Sequence, residues 1–201
     1  MSKRIYISAD YDYDSGDRNV VELINKWSNS TNRIIEFTDM AKVVSGSITL
    51  NNPDCRPCEI KNEFNKQINL SSSVIFVVGD KTRCRTSGSQ CLRDKEGLFS
   101  SCTPYKNNAN GIKMCKEYSQ APYFTSDVFY VNTYSYLRHE FEQAKLKRKK
   151  ILILYNSTRY ENSWLPSYMS GYESFAYPFW IISNGQKIGN YQLIKDFIIN
   201  D

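Results

Sequence analysis

The residue best suited to chemistry is Glu140, which lies in a segment with the pattern of an amphipathic helix. Four apolar residues recur there at steps of three, four and three and form one helical stripe: Tyr134, Leu137, Phe141 and Ala144. At about 100° per residue, Glu140 falls beside this stripe, on a flank that it shares with Tyr136 and Gln143. Such a carboxylate is either a solvated charge on a helix edge, which spacing alone favours, or a group that a cleft beside a sheet could use.

The residues after this helix predict how it is anchored. Lysine and arginine dominate residues 145–150, where the carboxyl end of a helix favours cations. Ile151–Leu154 then supplies four apolar residues without alternation, which is typical of a strand covered on both faces. The segment therefore predicts a helix that runs through a basic turn into a buried strand.

A second group of carboxylates follows the first predicted strand, Arg4–Ser8. Asp10, Asp12 and Asp14 stand at alternate positions, as at the start of a calcium-binding EF-hand loop. The sixth loop position is Ser15 rather than glycine and the twelfth is Val21 rather than glutamate, which argues against calcium. We interpret this loop as part of the ligand-facing edge of a parallel sheet, where strands end.

The six cysteines favour neither disulfides nor a metal. Cys55 and Cys58 have the spacing of a thiol redox pair or of half a zinc site, and a predicted helix start near Asp54 or Pro57 would stabilise a thiolate there. The second CxxC of a zinc ribbon is missing, and the chain has a single histidine. We therefore expect no metal and interpret the thiols as structural or idle.

Several enzyme classes lack their signatures. The sequence has no GxGxxG after the first strand and no GxxxxGK[ST], which disfavours a Rossmann domain and a P-loop NTPase. It has no GxSxG elbow, and its one histidine, His139, falls on the far side of its helix from the apolar stripe. We expect His139 to be a solvated neighbour of Glu140.

Composition limits the remaining possibilities. The chain has 201 residues, 41% of them hydrophobic and 23% charged, which fits one globular domain spanning residues 1–201. Its net charge of +5 is modest and scattered, so we expect a small anionic ligand rather than nucleic acid. The amino terminus lacks a signal-peptide core, and no apolar run approaches the ~20 residues of a membrane span. A cytoplasmic protein without a membrane partner is expected.

Alternating apolar segments and helical patterns predict an α/β fold: a mostly parallel five-stranded sheet in the order 2-1-3-4-5 with helices on both faces. The predicted strands are Arg4–Ser8, Arg33–Phe37, Ser73–Val78, Ile151–Leu154 and Pro178–Ile182. Helices are predicted after Asp17, after Asp54, around Glu140 and from Tyr191 onward. A long insertion follows the third strand, at about residues 80–130, and Val128–Val131 could form a short strand within it.

Three short motifs resemble those of a TIR-like domain, with its flavodoxin-like sheet. They are Lys3–Ser8 at the first strand, Ser73–Gly79 at the third, and Tyr136–Glu140 before the lysine-rich turn. The chain is most similar to the bacterial TIR proteins of Thoeris-type antiphage defence. In that family an aromatic residue, usually tryptophan, stands four residues before a glutamate; here these positions are Tyr136 and Glu140.

The resemblance implies an enzyme that uses NAD⁺ as its substrate and needs no further cofactor. Such enzymes break the bond between nicotinamide and ribose and make an ADP-ribose-derived, often cyclic, signalling nucleotide. The nucleotide then activates a separate effector protein, and self-association of the enzyme is possible.

The resemblance also implies roles for individual residues. Glu140 would stabilise the positive charge that grows on the ribose, as in glycoside cleavage. The other candidates would bind substrate: Tyr136 beside the base; Ser8, Asp10 and Tyr11 at the ribose or pyrophosphate; Arg18 at a phosphate; and Asp39 as a weaker candidate. Surface solvation is the alternative for Arg18, and a turn or capping role is the alternative for Asp39.

Three other functions stay open at this point. A non-catalytic TIR-like interaction module would leave Glu140 exposed. A nucleoside deoxyribosyltransferase-like enzyme would use a glutamate nucleophile on a similar sheet. A thiol oxidoreductase would depend on Cys55 and Cys58.

Overall fold

A computed structural model of the chain describes residues 3–9, 16–30, 35–39, 56–84, 105–107, 113–115 and 135–199. Its strands are β1 (Lys3–Ser8), β2 (Ile35–Asp39), β3 (Ser73–Val78), β4 (Tyr105–Asn107), β5 (Lys113–Cys115), β6 (Lys150–Tyr155), β7 (Ala176–Pro178), β8 (Trp180–Ser183) and β9 (Gln186–Gly189). Its α-helices are α1 (Asp17–Ser30), α2 (Arg56–Leu70), α3 (Tyr136–Leu146) and α4 (Tyr191–Ile199).

Five strands form one parallel sheet in the order β2-β1-β3-β6-β7. This confirms the predicted α/β fold and the strand order 2-1-3-4-5, which is that of flavodoxin-like sheets. The central strand β3 is buried at every position, and β6 is buried at all but its first. Continuous apolar runs without alternation therefore mark strands that helices cover on both faces.

Alternation along each strand divides the apolar residues into two cores, one on either face of the sheet. Tyr6 of β1 and Phe76 of β3 face α2 and α3. Ile5 and Ile7 of β1 face the opposite way, toward α1 and α4. The face toward which Tyr6 points is therefore the face that carries α3, the helix of Glu140.

Helix α3 begins and ends with local signals that the sequence carries. Ser135 is extended at the N-cap and its side chain accepts a hydrogen bond from the Arg138 amide. The chain leaves the helix through Arg148, whose φ of 51° lies in the left-handed region. The Lys149 ammonium then donates to the backbone carbonyl groups of Asn69 and Ser71, at the carboxyl end of α2.

The last sheet strand differs from the prediction. Residues 176–178 pair with β6, whereas Trp180–Ser183 turns away and pairs in antiparallel fashion with Gln186–Gly189. Asn184 and Gly185, both at positive φ, join these two strands in a two-residue turn. Ile182, predicted to lie in the fifth strand of the sheet, is 63% exposed in this hairpin.

Other observed strand and helix boundaries differ from the predicted ones by a few residues. Some predictions concern residues outside the described part of the chain. Strand β2 is Ile35–Asp39 rather than Arg33–Phe37, and α2 begins at Arg56. Within the predicted insertion, β4 and β5 form a two-stranded antiparallel sheet. Cys55 and the predicted strand Val128–Val131 lie outside the described residues. In the described part of the chain no helix is long and apolar enough to cross a membrane.

Candidate functional site

Glu140 is buried between α3 and the central sheet. Its side chain is 3% exposed, so the interpretation of Glu140 as a solvated charge on a helix edge is wrong. The neighbouring residue Phe141 is fully buried and packs edge-on against Phe76 of β3, with ring centroids 5.4 Å apart. Anchoring α3 at Phe141 turns the next flank of the helix, which carries Glu140, toward β1.

Two hydroxyl groups from β1 hold the Glu140 carboxyl, one on each oxygen. The Tyr6 hydroxyl donates to Oε1, and the Ser8 hydroxyl donates to Oε2 across 2.5 Å. Tyr6 and Ser8 are two residues apart on β1, so their side chains project from the same face of the strand. The carboxyl is therefore held by the sheet at both oxygens.

Burial raises the pKa of the Glu140 carboxyl from its ordinary value of 4.5 to about 7. The hydrogen bonds from Ser8 and Tyr6 act in the opposite direction, because they stabilise the ionised form, but burial outweighs them. A carboxyl with this pKa changes charge near neutral pH. Perturbed carboxyls of this kind occur often at functional sites, although buried structural carboxyls share the property.

Ser8 is the last residue of β1, at the carboxyl edge of the sheet where ligands of open α/β folds bind. The structure therefore brings together two of the residues singled out in the sequence, Glu140 and Ser8. It adds Tyr6, which was not among the predicted site residues. The sequence signal that could have identified Tyr6 is its position two residues before Ser8, on the same face of the strand.

Tyr136 lies one helical turn before Glu140 and is half-buried. Its ring meets Phe64 of α2 edge-on, with centroids 5.7 Å apart. Tyr136 is the first residue of α3. Its predicted contact with a substrate base stays a prediction.

The remaining predicted binding residues are not brought to Glu140 by the described contacts. Arg18 lies on the surface in the first turn of α1, with a side chain 52% exposed, and pairs with Glu22 at 3.1 Å. Asp39 is the last residue of β2, and its side chain is outside the described part of the structure, as are Asp10 and Tyr11 altogether. Their predicted roles stay predictions.

His139 is not a solvated neighbour of Glu140, contrary to the prediction. Its Nε2 lies 3.0 Å from Oδ1 of Asn65 on α2. One turn further along, the Gln143 amide donates to Asn69 across 2.8 Å. The helical pattern showed which residues face the sheet, but not that α2 packs beside α3 and covers its lateral flank.

A second buried carboxylate, Asp17, is the first residue of α1, the helix that the sequence predicts after Asp17. Its Oδ1 accepts a hydrogen bond from the Asn156 amide at 2.9 Å, and Thr82 donates to Oδ2 at 3.4 Å. The Trp180 indole donates to Asn156 Oδ1 across 2.8 Å. This network ties the beginning of α1 to the residues that follow β3 and β6.

The structure also contains a cavity of about 810 Å³ beside the first half of β6, away from the predicted site residues. Strand β7 pairs only with residues 153–155, which leaves Lys150–Leu152 open to the cavity on that side. Aromatic residues of the loop after β6, of β7 and of α4 line it: Tyr172, Phe175, Tyr177 and Phe197. Its lining contains neither Glu140 nor Ser8.

Comparison with models of known protein families, with curated proteins and with solved structures finds no match. Within the described residues, no group of three or more histidine, cysteine, aspartate or glutamate side chains could hold a metal ion.

Proposed function

We propose that this protein is an NAD⁺-cleaving enzyme of the TIR type that acts in bacterial antiphage defence. It releases nicotinamide and makes an ADP-ribose-derived, cyclic signalling nucleotide, which activates a separate effector. The observation that carries the proposal is the buried Glu140 carboxyl, bonded to Ser8 at the carboxyl edge of a parallel sheet in the order 2-1-3-4-5. The three TIR-like sequence motifs supply the choice of substrate.

The reaction requires little acid–base chemistry. When the bond between the ribose carbon and the nicotinamide nitrogen breaks, its electron pair leaves with the pyridinium ring, which becomes neutral nicotinamide. Positive charge then develops on the ribose, as in the oxocarbenium-like state of glycoside hydrolysis. An ionised carboxylate at a site with little water stabilises that charge and can position the sugar through its hydroxyl groups.

The described residues divide these tasks. Glu140 supplies the negative charge, and its 3% exposure keeps bulk water away from the carboxyl. Tyr6 and Ser8 fix the orientation of the carboxyl plane through one hydrogen bond to each oxygen. After nicotinamide leaves, a nucleophilic group of the same ADP-ribose moiety closes the ring; capture by water instead would give free ADP-ribose.

The proposal is tested by incubating the purified protein with NAD⁺ in extract from phage-infected cells, which supplies a trigger, and separating nicotinamide by chromatography. Wild-type protein is expected to release nicotinamide, and mass spectrometry should find an ADP-ribose-derived product. Glu140→Gln keeps the size of the side chain, replaces one acceptor oxygen with a donating amide group and removes the charge. It is expected to lower the rate at least 100-fold, on the order of the loss seen when one stabilising group of a transition state is removed.

A parallel incubation with a deoxynucleoside and a second free base distinguishes the glycosyl-transfer alternative. Base exchange without nicotinamide release would show a deoxyribosyltransferase and contradict the proposal. If the protein shows neither nicotinamide release nor base exchange with the trigger present, the result would favour the non-catalytic interaction module and contradict the proposal.

A further inference from the structure

We propose that the two hydroxyl groups on Glu140 have different roles: Tyr6 is a fixed positioning residue, and Ser8 is an exchangeable donor whose place a ribose hydroxyl takes. The role of Tyr6 concerns the free protein and stands on the described contacts alone. The exchange at Ser8 rests on the proposed function, because it requires a sugar as the ligand.

The depths of the two residues in the sheet differ. Tyr6 pairs with Thr38 of β2 and Val74 of β3, in the interior of the sheet. Ser8 pairs with Phe76 and is the last residue of its strand, about 6–7 Å further along β1 toward the carboxyl edge. A ligand that arrives over this edge meets the Oε2 side of the carboxyl, where Ser8 is bound, before the Oε1 side, where Tyr6 is bound.

The two hydroxyl donors also differ in how freely they can move away from the carboxyl group. The Tyr6 ring is completely buried and belongs to the core that includes Phe76 and Phe141, so its hydroxyl has no room to leave Oε1. The Ser8 hydroxyl moves by rotation about a single bond. A ribose hydroxyl that donates to Oε2 restores the hydrogen bond that Ser8 gives up, so the exchange keeps the carboxylate satisfied.

The immediate surroundings of Glu140 leave these two hydroxyl groups as the main influence that favours its ionised form. The influences on its ionisation are burial, Ser8 and Tyr6, with no charged partner among the described residues. Titratable groups on the elements packed beside it are engaged elsewhere: Arg138 lies over the Tyr168 ring at 5.6 Å, His139 bonds Asn65, and Glu63 of α2 bonds Gln67 and Lys66. Removing one hydroxyl therefore removes a large part of what favours the ionised carboxylate.

The first test uses the free protein and needs no activity. The carboxyl carbon of Glu140 is titrated by NMR in protein labelled with carbon-13 glutamate, and its signal is assigned by its loss in Glu140→Gln. Tyr6→Phe, which removes one oxygen atom, is expected to raise the pKa of Glu140 by about one to two units. An unchanged pKa in a folded Tyr6→Phe protein would show that Tyr6 only fills space.

The second test separates the two roles by kinetics. The pH profile of kcat/KM reports ionisation in the free enzyme, and that of kcat reports ionisation in the substrate complex. In wild-type protein the hydrogen bond from Tyr6 to Glu140 persists in the substrate complex. Tyr6→Phe, which lacks this bond in both states, is therefore expected to move the acidic limb upward by about a pH unit in both profiles. Ser8→Ala is expected to move the limb only in the kcat/KM profile, because substrate has already displaced Ser8 in the complex.

Equal upward shifts in both profiles for Ser8→Ala would show that Ser8 stays on Glu140 when substrate is bound, which overturns the exchange. If wild-type protein with its trigger releases no nicotinamide, the proposed function fails and the exchange at Ser8 fails with it. The NMR titration still decides the role of Tyr6 in that case.

Discussion

The phenol of Tyr6 donates a hydrogen bond to the carboxyl of Glu140, although the two residues stand 134 positions apart in the chain. Tyr6 lies in β1 and Glu140 in α3, and both are buried. The contact forms because alternation along β1 and the packing of α3 on β3 direct both side chains to the same face of the sheet. The ionisation of Glu140 and the stability of the fold are therefore linked, and several consequences can be measured.

The first prediction concerns the pH dependence of activity. Because charge stabilisation on the ribose requires the ionised carboxylate, nicotinamide release should fall as the pH drops through about 7, the pKa of Glu140 in the folded protein. Initial rates between pH 5.5 and 9 should follow one acidic limb centred there. A rate that is flat across this interval, or that rises on acidification, would mean that the carboxylate is not the active form.

The second prediction concerns stability. The pKa of Glu140 is raised by folding, from 4.5 to about 7, so its contribution to stability is fully present below pH 4.5 and is lost as the pH rises through about 7. At about 1.4 kcal/mol per unit, the loss is about 3 kcal/mol. Glu140→Gln should therefore unfold at higher urea concentration than wild type at pH 8, by about 3 kcal/mol, with the difference shrinking toward pH 5.

A control for this stability change lies on the same helix. Glu142 has a side chain 35% exposed and pairs with Lys145 at 3.4 Å. Glu142→Gln should change the free energy of unfolding by less than about 0.5 kcal/mol at either pH, as exposed substitutions usually do. A Glu140→Gln protein that is less stable than wild type at pH 8 would refute the account of Glu140 as a carboxyl whose ionisation burial opposes.

A third prediction concerns the Asp17 network. A β-carbon added to Gly79 would lie 2.6 Å from Asp17 Oδ1, which is closer than side-chain atoms approach one another. Because Asp17 is completely buried and bonded to Asn156, it cannot move aside freely. Gly79→Ala should lower the free energy of unfolding by about 1–3 kcal/mol, as overpacking does in well-packed interiors.

The double variant identifies the source of that cost. In an Asp17→Ala background the clash is absent, so Gly79→Ala should lower the free energy of unfolding by much less than in wild type. Urea unfolding of the four proteins in this cycle provides the comparison. Equal costs in the two backgrounds would assign the effect to the Gly79 backbone instead.

A fourth prediction concerns the anchor of α3. Phe141 meets three other rings, those of Phe76, Tyr168 and Tyr172, with centroid separations of 5.4, 6.0 and 5.0 Å. Phe141→Ala should lower the free energy of unfolding by about 3–5 kcal/mol and release the flank that presents Glu140. Phe141→Leu keeps most of the buried volume, and it should cost less than about 1.5 kcal/mol while retaining nicotinamide release. Similar stabilities for the two variants would show that α3 is anchored elsewhere.

The sequence was sufficient for much of the fold, because local patterns determine it. The apolar runs at residues 73–78 and 151–154 predicted the central strands, and spacing around Phe141 predicted the face of α3 that packs on the sheet. The last strand was misplaced because Trp180–Ser183 is as apolar as a buried strand. Asn184 and Gly185 carried the stronger signal, since this pair is typical of a two-residue hairpin turn.

The site was only partly predictable, because it depends on contacts between distant segments. Glu140 stood out beside the apolar stripe, but spacing alone favoured a solvated charge there, and it was the resemblance to TIR-like domains that selected Glu140 and Ser8 as site residues. Tyr6 could not be distinguished from an ordinary core tyrosine until the docking of α3 placed a carboxyl against its hydroxyl. The partner of His139 depends in the same way on how α2 lies beside α3, which helical periodicity does not determine.

The central claim is tested most directly by the rate of nicotinamide release from NAD⁺ by Glu140→Gln and Glu142→Gln, measured side by side in the same infected-cell extract. The two variants remove one charge each from the same helix, one buried against β1 and one at the surface. The account predicts that Glu142→Gln keeps a rate within about twofold of wild type, whereas Glu140→Gln loses at least 100-fold. Release at the wild-type rate by Glu140→Gln would contradict it.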